Sequence, residues 1–520
     1  MTLLLIIVLL LAAALLSCAV EKVRPGSSRA LAILSLLLAA ALLCSYLPAA
    51  QLSTASGLLS EAWWDQLDWA WIPRFGIRFH LAIDGLGFLM LALTLGTGLF
   101  GLWITPGQIK VRTGFFHCNY LLTIAGVVGV FAAVDLFLFF FFWEVMLIPM
   151  FLLIAIWGYE DRSRAAIKFF IFTQASSLLM LAAIVALVYV NFLQRGEITF
   201  SLQQLLLAEI PLQIQYWLML GFFIAFAVKL PAVPLHPWLP DAHTQAPTAA
   251  SILLAAVLLK TGAYGLLRFT LPLFPDACRI YAPAAIAIGV VGVLYGALGA
   301  YAQRDVKRLV AYSSVSHMGF VLLGLFAGNT TAILGAVILM MAHGLSSAAL
   351  FGLVGKLQQR FHSRDIRDMS GLWATLPRLS ATALVFVMAA IGLPGLGNFV
   401  AEFLTLAGSF RSYPWLTLVA ASGILLASLY GLRLLQKVFF GIPHSDQLTA
   451  GITDLSRKDL TVFAGAGLLL LWIGIYPQPL LSQASGWAKF IHSRSAEQGT
   501  IYMPAQDKEP NFAADGADRG

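Results

Sequence analysis

The sequence predicts an all-α polytopic membrane protein of about 14 transmembrane helices, and three observations predict it. Hydrophobic residues make up 60% of the 520-residue chain and charged residues only 11%, with a mean hydropathy of +0.85. A soluble chain carries about 25% charged residues. Apolar runs recur along the chain, most near the roughly 20 residues that a spanning helix needs. Lysine and arginine collect in every second loop, as they do on the cytoplasmic side of membrane proteins.

Taken in order, the apolar runs lie near residues 3–20, 29–47, 84–104, 114–132, 135–157, 165–191, 215–240, 248–271, 280–301, 309–327, 331–354, 377–409, 415–440 and 460–476. The first ends beside Ser17-Cys18, which resembles a lipoprotein cleavage box, but no Lys or Arg precedes it. Without a positive n-region it reads as a retained span, with the N-terminus outside. Simple alternation then puts six basic loops on one side: Lys22/Arg24/Arg29, Lys110/Arg112, Arg162/Arg164/Lys168, Arg304/Lys307/Arg308, Lys356/Arg360/Arg364/Arg367 and Arg433/Lys437/Arg457/Lys458. The opposite loops, such as Ala327 to Thr331, are poorer in both residues, so both termini are expected outside. The segment from Pro48 to Ile83 carries Trp63, Trp64, Trp69 and Trp71 and reads as an amphipathic surface segment. The tail after Tyr476 turns polar and is expected to lack order at its end.

Two spans are interrupted. The stretch from Lys229 to Pro240 holds prolines at 231, 234, 237 and 240, a spacing no α-helix tolerates. The stretch from Gly392 to Glu402 is broken by Pro394, Gly395 and Gly397. Irregular backbone at membrane depth survives only where protein buries it or water lines it. Broken spans in both halves point to inverted repeats with the functional path at the breaks. The expected divisions are 1–113 for helices 1–3 with an external loop, 114–271 for a first repeat of five helices, 272–440 for a second, and 441–520 for the last helix and tail.

The composition also excludes functions. The net charge of +7 and pI near 9.2 come from loop residues facing a cytoplasmic membrane surface, so nucleic acid is not an expected partner. The cysteines, Cys18, Cys44, Cys118 and Cys278, are scattered, which argues against zinc and iron–sulfur sites. Each reads as a small buried apolar residue. There is no P-loop, and Gly395 and Gly397 open no nucleotide-binding unit.

What the apolar runs do contain is titratable groups. Glu144 is the only charge between Asp135 and Glu160. A carboxylate there costs roughly 2.5–3.5 kcal/mol on insertion scales unless it is paired, wetted or protonated. A purely structural ion pair would be a weak stabiliser, which favours a functional role. Lys229 lies about 14 residues, or roughly 20 Å, into its span, too deep to snorkel easily. Lys260 is as deep. His317 follows Ser313, Ser314 and Ser316, which offer a hydrogen-bonded path, and reads as a relay rather than a satisfied core histidine. His343 and Glu402 complete the candidate site, Glu402 just after the second break. Asp241 and His243, at the end of the first break, read equally as cap residues or path members. A carboxylate and a lysine in one wet interior hold each other charged. Withdrawing the carboxylate frees the lysine to release its proton, and a neighbouring lysine or histidine can take it. The expected function is therefore a proton wire along the bilayer midplane. Driving one charge against 100 mV costs about 2.3 kcal/mol, so the energy must come from a partner.

Five stretches carry a family resemblance: Gly158-Tyr159-Glu160, Arg164 to Phe170, His236-Pro237-Trp238-Leu239-Pro240-Asp241-Ala242-His243 with Ala246-Pro247-Thr248, Leu259 to Gly265, and Ala311 to Gly319. As a set they resemble the antiporter-like membrane subunits of respiratory complex I, the NADH:quinone oxidoreductase, and the likeness covers nearly all of the chain. Glu402 after Gly397-Asn398-Phe399 resembles one branch of that family, where sister subunits usually carry lysine. The long C-terminal lateral helix of another branch is not expected here. The resemblance implies 14 spans, two inverted five-helix repeats and no cofactor or NADH site in this subunit. It implies that Glu144, Lys229, Lys260 and Glu402 handle protons, with His317 and His343 linking them. Partners would be the other membrane subunits of the complex, neighbouring antiporter-like subunits included, with electron transfer to quinone elsewhere in it. The expected location is a bacterial inner membrane. Two alternatives stand beside this reading: a subunit of a multi-subunit cation/proton antiporter, against which Glu402 argues, and a solute permease, which would not need ionisable residues along both repeats. A purely structural scaffold would leave the buried charges unexplained.

Overall fold

The computed structural model describes residues 1–48, 63–441 and 452–499. The chain runs through α1 (Thr2–Val23) and α2 (Ser27–Cys44), then a hairpin of β1 (Asp65–Ile72) and β2 (Ile77–Ile83). It continues with α3 (Gly85–Ile104), α4 (Thr113–Ala132), α5 (Leu136–Trp157), α6 (Arg162–Arg195) and α7 (Leu212–Lys229). A short α8 (Trp238–Gln245) precedes α9 (Thr248–Leu273), α10 (Pro275–Ala302), α11 (Val306–Phe326) and α12 (Thr330–Phe361). The last elements are α13 (Pro377–Ala390), α14 (Gly397–Ser412), α15 (Pro414–Phe439), α16 (Arg457–Ile475) and α17 (Gln478–Gly499). Among the described residues thirteen helices are long and apolar enough to cross a bilayer. The interrupted pair α13–α14 accounts for the fourteenth predicted span, so the all-α polytopic architecture holds.

Side-chain caps fix where several spans begin. Asp84 accepts from Gly87 N, Asp135 from Phe137 N and Leu138 N, Asp305 from Lys307 N and Arg308 N, and Asn329 from Ala332 N. Each such cap contributes about 1 kcal/mol by satisfying an orphan N–H. Helix contacts depend on small residues, as membrane interfaces do. A Cβ on Gly296 of α10 would strike the backbone of Ser316 on α11, and one on Gly319 would meet Gly289 O at 2.5 Å. That close seam holds the middle of α11, which carries His317. The central helices α9, α11 and α12 are almost wholly buried, whereas α1, α2, α15 and α16 are mostly exposed to the surroundings.

The loops fall on two faces. On one, Tyr159 N bonds Gln245 O, Ile366 N bonds Arg304 O and Arg360 donates to Thr453 O, which gathers the basic loops. On the other, Val134 N bonds His80 O, Leu136 N bonds Phe200 O and His492 Nδ1 meets Gly328 O. The two-face arrangement is the one the Lys/Arg pattern requires.

Four local expectations are sharpened or corrected. Residues 65–83 form an antiparallel hairpin rather than an unstructured loop, with Asp65 opposite Ile83, Trp69 opposite Phe79, and Trp69 and Trp71 exposed; residues 49–62 lie outside the described residues. The tail after Tyr476 is helical over Gln478–Gly499, where Leu480, Ala484, Trp487 and Ile491 form one buried stripe at helical spacing; its end, residues 500–520, on which the expectation falls, lies outside the described residues. Cys44 is exposed and Cys18 only half-buried, so two of the four cysteines are not core residues. Lys307 and Lys356, assigned to loops, are buried: Lys307 reaches Ala246 O and the Tyr159 ring, and Lys356 pairs with Asp459 at 2.8 Å.

Candidate functional site

The second break builds one end of the site. Residues 391–396 interrupt the span, so the carbonyl of Ala390, the last residue of α13, loses its helical partner. His317 on α11 takes that carbonyl with Nε2 at 2.8 Å and Ser313 O with Nδ1 at 2.7 Å. A carbonyl only accepts, so a ring carrying both protons satisfies both contacts, and a neutral ring leaves one unmet. Glu402, one turn into α14 and 4% exposed, places Oε1 3.4 Å from His317 Nε2. Gly392 makes room for it: its φ is +78°, and a Cβ there would lie 2.9 Å from Glu402 Oε2.

The line continues from His317 across α12. The His317 and His343 rings lie 5.1 Å apart between centroids. Lys260 Nζ sits 2.7 Å from His343 Nδ1 and donates to Ala255 O at 2.6 Å. Lys260 lies two residues past a π-helical turn, Leu254–Leu258, a distortion often found at functional sites. Lys260, His343, His317 and Glu402, separated by up to 142 positions in sequence, thus form one run of neighbours through four helices.

Glu144 and Lys229 lie apart from that run. Glu144 is half-buried on α5 and accepts from Ser177 Oγ of α6 at 2.6 Å. Lys229 ends α7 at the first break and is 1% exposed. Its Nζ has no hydrogen-bond partner and faces the Trp143 and Phe169 rings at 5.3 and 5.4 Å. Glu144 and Lys229 form no direct ion pair in this arrangement, though Glu144 remains within electrostatic range. The α7 end is tied to α9 through Gly262, where a Cβ would touch Lys229 Cβ at 3.2 Å.

Of the two residues left open at the first break, His243 is fully buried, stacked on Phe351 at 4.4 Å, with neither ring nitrogen hydrogen-bonded. Asp241 does not cap a helix. It bridges Lys168 at 2.6 Å and Arg308 at 3.4 Å at the basic face. Sequence reasoning missed Ser177 and the Ala390 carbonyl, and neither a serine in a long helix nor a backbone oxygen carries a signal of its own. Among the described residues no group of three His, Cys, Asp or Glu side chains is arranged to hold a metal ion.

Fold and site together define a class: a polytopic membrane protein with a buried line of titratable side chains that meets a helix break. The NADH:quinone oxidoreductase/Mrp antiporter transmembrane family matches residues 133–427, and the chain belongs to it. Within it the chain is 52% identical to NADH-quinone oxidoreductase subunit M of Pseudomonas aeruginosa, over 83% of this chain and 85% of that one. Subunit M of Escherichia coli K12 is 51% identical over 81% of this chain and 83% of that one. A chain in the structure of respiratory complex I from Thermus thermophilus with bound NADH superposes with a TM-score of 0.84 at 31% identity, covering 95% of this chain and 99% of that one. The branch that Glu402 pointed to is the subunit M branch.

Proposed function

We infer that the chain is a proton-translocating membrane subunit of a respiratory NADH:quinone oxidoreductase, at the M position. The observation that carries this reading is the contact run Lys260–His343–His317–Glu402, in a chain about half identical to subunit M relatives. The two repeats, 114–271 and 272–440, meet between Lys260 and His343. The basic face is cytoplasmic, the hairpin face is external, and the membrane is the bacterial inner membrane.

The geometry supports the following steps. Glu144 alternates between Ser177 and Lys229; when it turns to Lys229 it holds that ammonium, and when it returns to Ser177 the lysine has only aromatic faces and passes its proton to the next neutral base in line, Lys260. Lys260 passes a proton from Nζ to His343 Nδ1 along a 2.7 Å contact. His317 first gives its Nε2 proton to Glu402, and the neutral ring left behind is then reloaded from the adjacent His343 ring. Beyond Glu402 the polar line runs outward on α14. The hydroxyls of Thr405 and Ser409 are buried and unpartnered, and the helix ends at a cavity of about 300 Å³ lined by Ser412, Tyr413 and His492. Electron transfer belongs to partner subunits, which supply about 2.3 kcal/mol per charge per 100 mV. No redox cofactor, NADH site or metal is assigned to this chain, and its partners are neighbouring membrane subunits, lipid and protons.

The test is NADH-driven proton uptake by inverted membrane vesicles, normalised to assembled complex. Glu144→Ala, Lys229→Ala and Lys260→Ala should each abolish most of it while the complex assembles. Uptake at the normal rate and proton-to-electron ratio in Lys260→Ala removes the wire.

A further inference from the structure

Two routes lead outward from the buried line. One follows Thr405 and Ser409 on α14. The other follows α9, where Lys260, Tyr264 and Arg268 stand four residues apart on one helix face. At 1.5 Å per residue, Arg268 lies about 12 Å beyond Lys260 toward the hairpin face. On this second route the Tyr264 hydroxyl and the Arg268 guanidinium are both engaged. The Tyr264 hydroxyl donates to Phe131 O at 2.9 Å and accepts from Arg268 Nε at 3.0 Å, so its proton is committed. The guanidinium is fully buried and grips Asp84 with both Nη atoms, at 2.8 and 2.6 Å. Trp487 of α17 covers it at 4.2 Å from its ring centre, and Trp63 lies at 5.3 Å.

The cover is fastened. Trp487 Nε1 donates to Leu267 O at 3.0 Å, a carbonyl in the π-helical turn Leu266–Thr270. Gly85, the first residue of α3, lets α17 lie directly on it: a Cβ there would strike the Gln483 carbonyl. Arg494 holds the far end of α17 through Leu206 O at 2.9 Å.

We propose that the Asp84–Arg268 pair, roofed by Trp487 and Trp63, is a seal that blocks proton leak from Lys260 to the external face. The proposal rests on Lys260 carrying protons. An arginine never deprotonates in proteins, so it cannot relay a proton, and its two Nη atoms occupy both oxygens of the Asp84 carboxylate. The indole roof excludes water from the same spot. Stability alone is a poor reason for this arrangement, because buried ion pairs stabilise weakly. Arg268 is thus an insulating residue that acts through Lys260 and takes no part in transfer.

The test uses the whole complex in vesicles and reads the decay of an imposed pH gradient without NADH, per assembled complex. Trp487→Ala removes the roof and leaves the ion pair. Arg268→Gln combined with Asp84→Asn removes both charges and leaves no orphan. Arg268→Lys keeps a cation. Decay should quicken several-fold in Trp487→Ala and further in the neutral pair, fall between normal and the neutral pair in Arg268→Lys, whose buried cation can deprotonate, and return toward normal when Lys260→Ala is added. NADH oxidation should continue while the proton-to-electron ratio falls. Unchanged decay in Trp487→Ala overturns the seal, whether or not the neutral pair assembles. A leak that survives Lys260→Ala overturns the assigned route. Normal pumping by Lys260→Ala alone would instead strike the proposed function, and that measurement is separate.

Discussion

Gly392→Ala should cripple proton delivery to Glu402 without dismantling the helix bundle. Gly392 has a φ of +78°, where an L-residue with a Cβ costs about 1–2 kcal/mol. The added Cβ would lie 2.9 Å from Glu402 Oε2, against an ordinary contact of 3.4 Å or more. The carboxylate must then retreat by about 0.5 Å, from a position where its other oxygen is already 3.4 Å from His317 Nε2. A 1 Å misplacement of reacting groups can cost about 100-fold, so half of that predicts a loss of about tenfold in pumping. Gly395 supplies the control. Its φ is +93°, and a Cβ there would meet nothing within 4 Å. Gly395→Ala carries the same kind of strain and no push on the carboxylate, so its pumping should stay within about twofold of normal. The assay is NADH-driven proton uptake in inverted vesicles, divided by assembled complex. Equal pumping by the two variants would refute the claim that the position of the Glu402 carboxylate controls transfer.

Chemistry at residue 402 should matter more than bulk: Glu402→Asp should keep most activity, Glu402→Gln should lose most, and Glu402→Lys should fall between, in the same vesicle assay. Single cysteines beside Arg364 should react with an impermeant thiol reagent only from the cytoplasm, and those beside Trp69 only from outside; labelling of both from one side would invert the orientation. Lys356→Ala should destabilise the assembled subunit by about 3–5 kcal/mol because it strands Asp459 in a buried site, whereas Lys356→Met with Asp459→Leu should be nearly neutral. Thermal unfolding of the isolated complex distinguishes them, and equal loss in both would deny the pair this role.

The parts of the site visible in the sequence were the ones that violate composition. Lys260, His317, His343 and Glu402 stand out because ionisable groups are costly in apolar runs, and the structure brings these four together. The prolines at 231, 234, 237 and 240 and the glycines near 395 marked both breaks, since neither pattern continues a helix. What stayed hidden depends on long-range packing. Ser177 bonds Glu144 from 33 positions away, and Ala390 contributes only a carbonyl. The unformed Glu144–Lys229 contact is of this kind too, because span assignment fixes depth and leaves lateral distance open. The hairpin did have a signal in the two-residue spacing of Trp69 and Trp71 before the turn at Gly76, but its aromatic content looked like a membrane surface segment. The closing helix α17 was masked by its low hydropathy, although Leu480, Ala484, Trp487 and Ile491 keep a helical period.

His343 is the joint on which the account turns, because it touches Lys260 on one side and the His317 ring on the other. His343→Phe keeps a flat ring in place and removes both nitrogens. A positioned acid–base group contributes about 100- to 10,000-fold to a proton transfer. The measurement is the number of protons taken up per NADH oxidised by vesicles bearing the assembled His343→Phe complex. The account predicts that the ratio falls by this subunit's whole share. An unchanged ratio at an unchanged rate would contradict it.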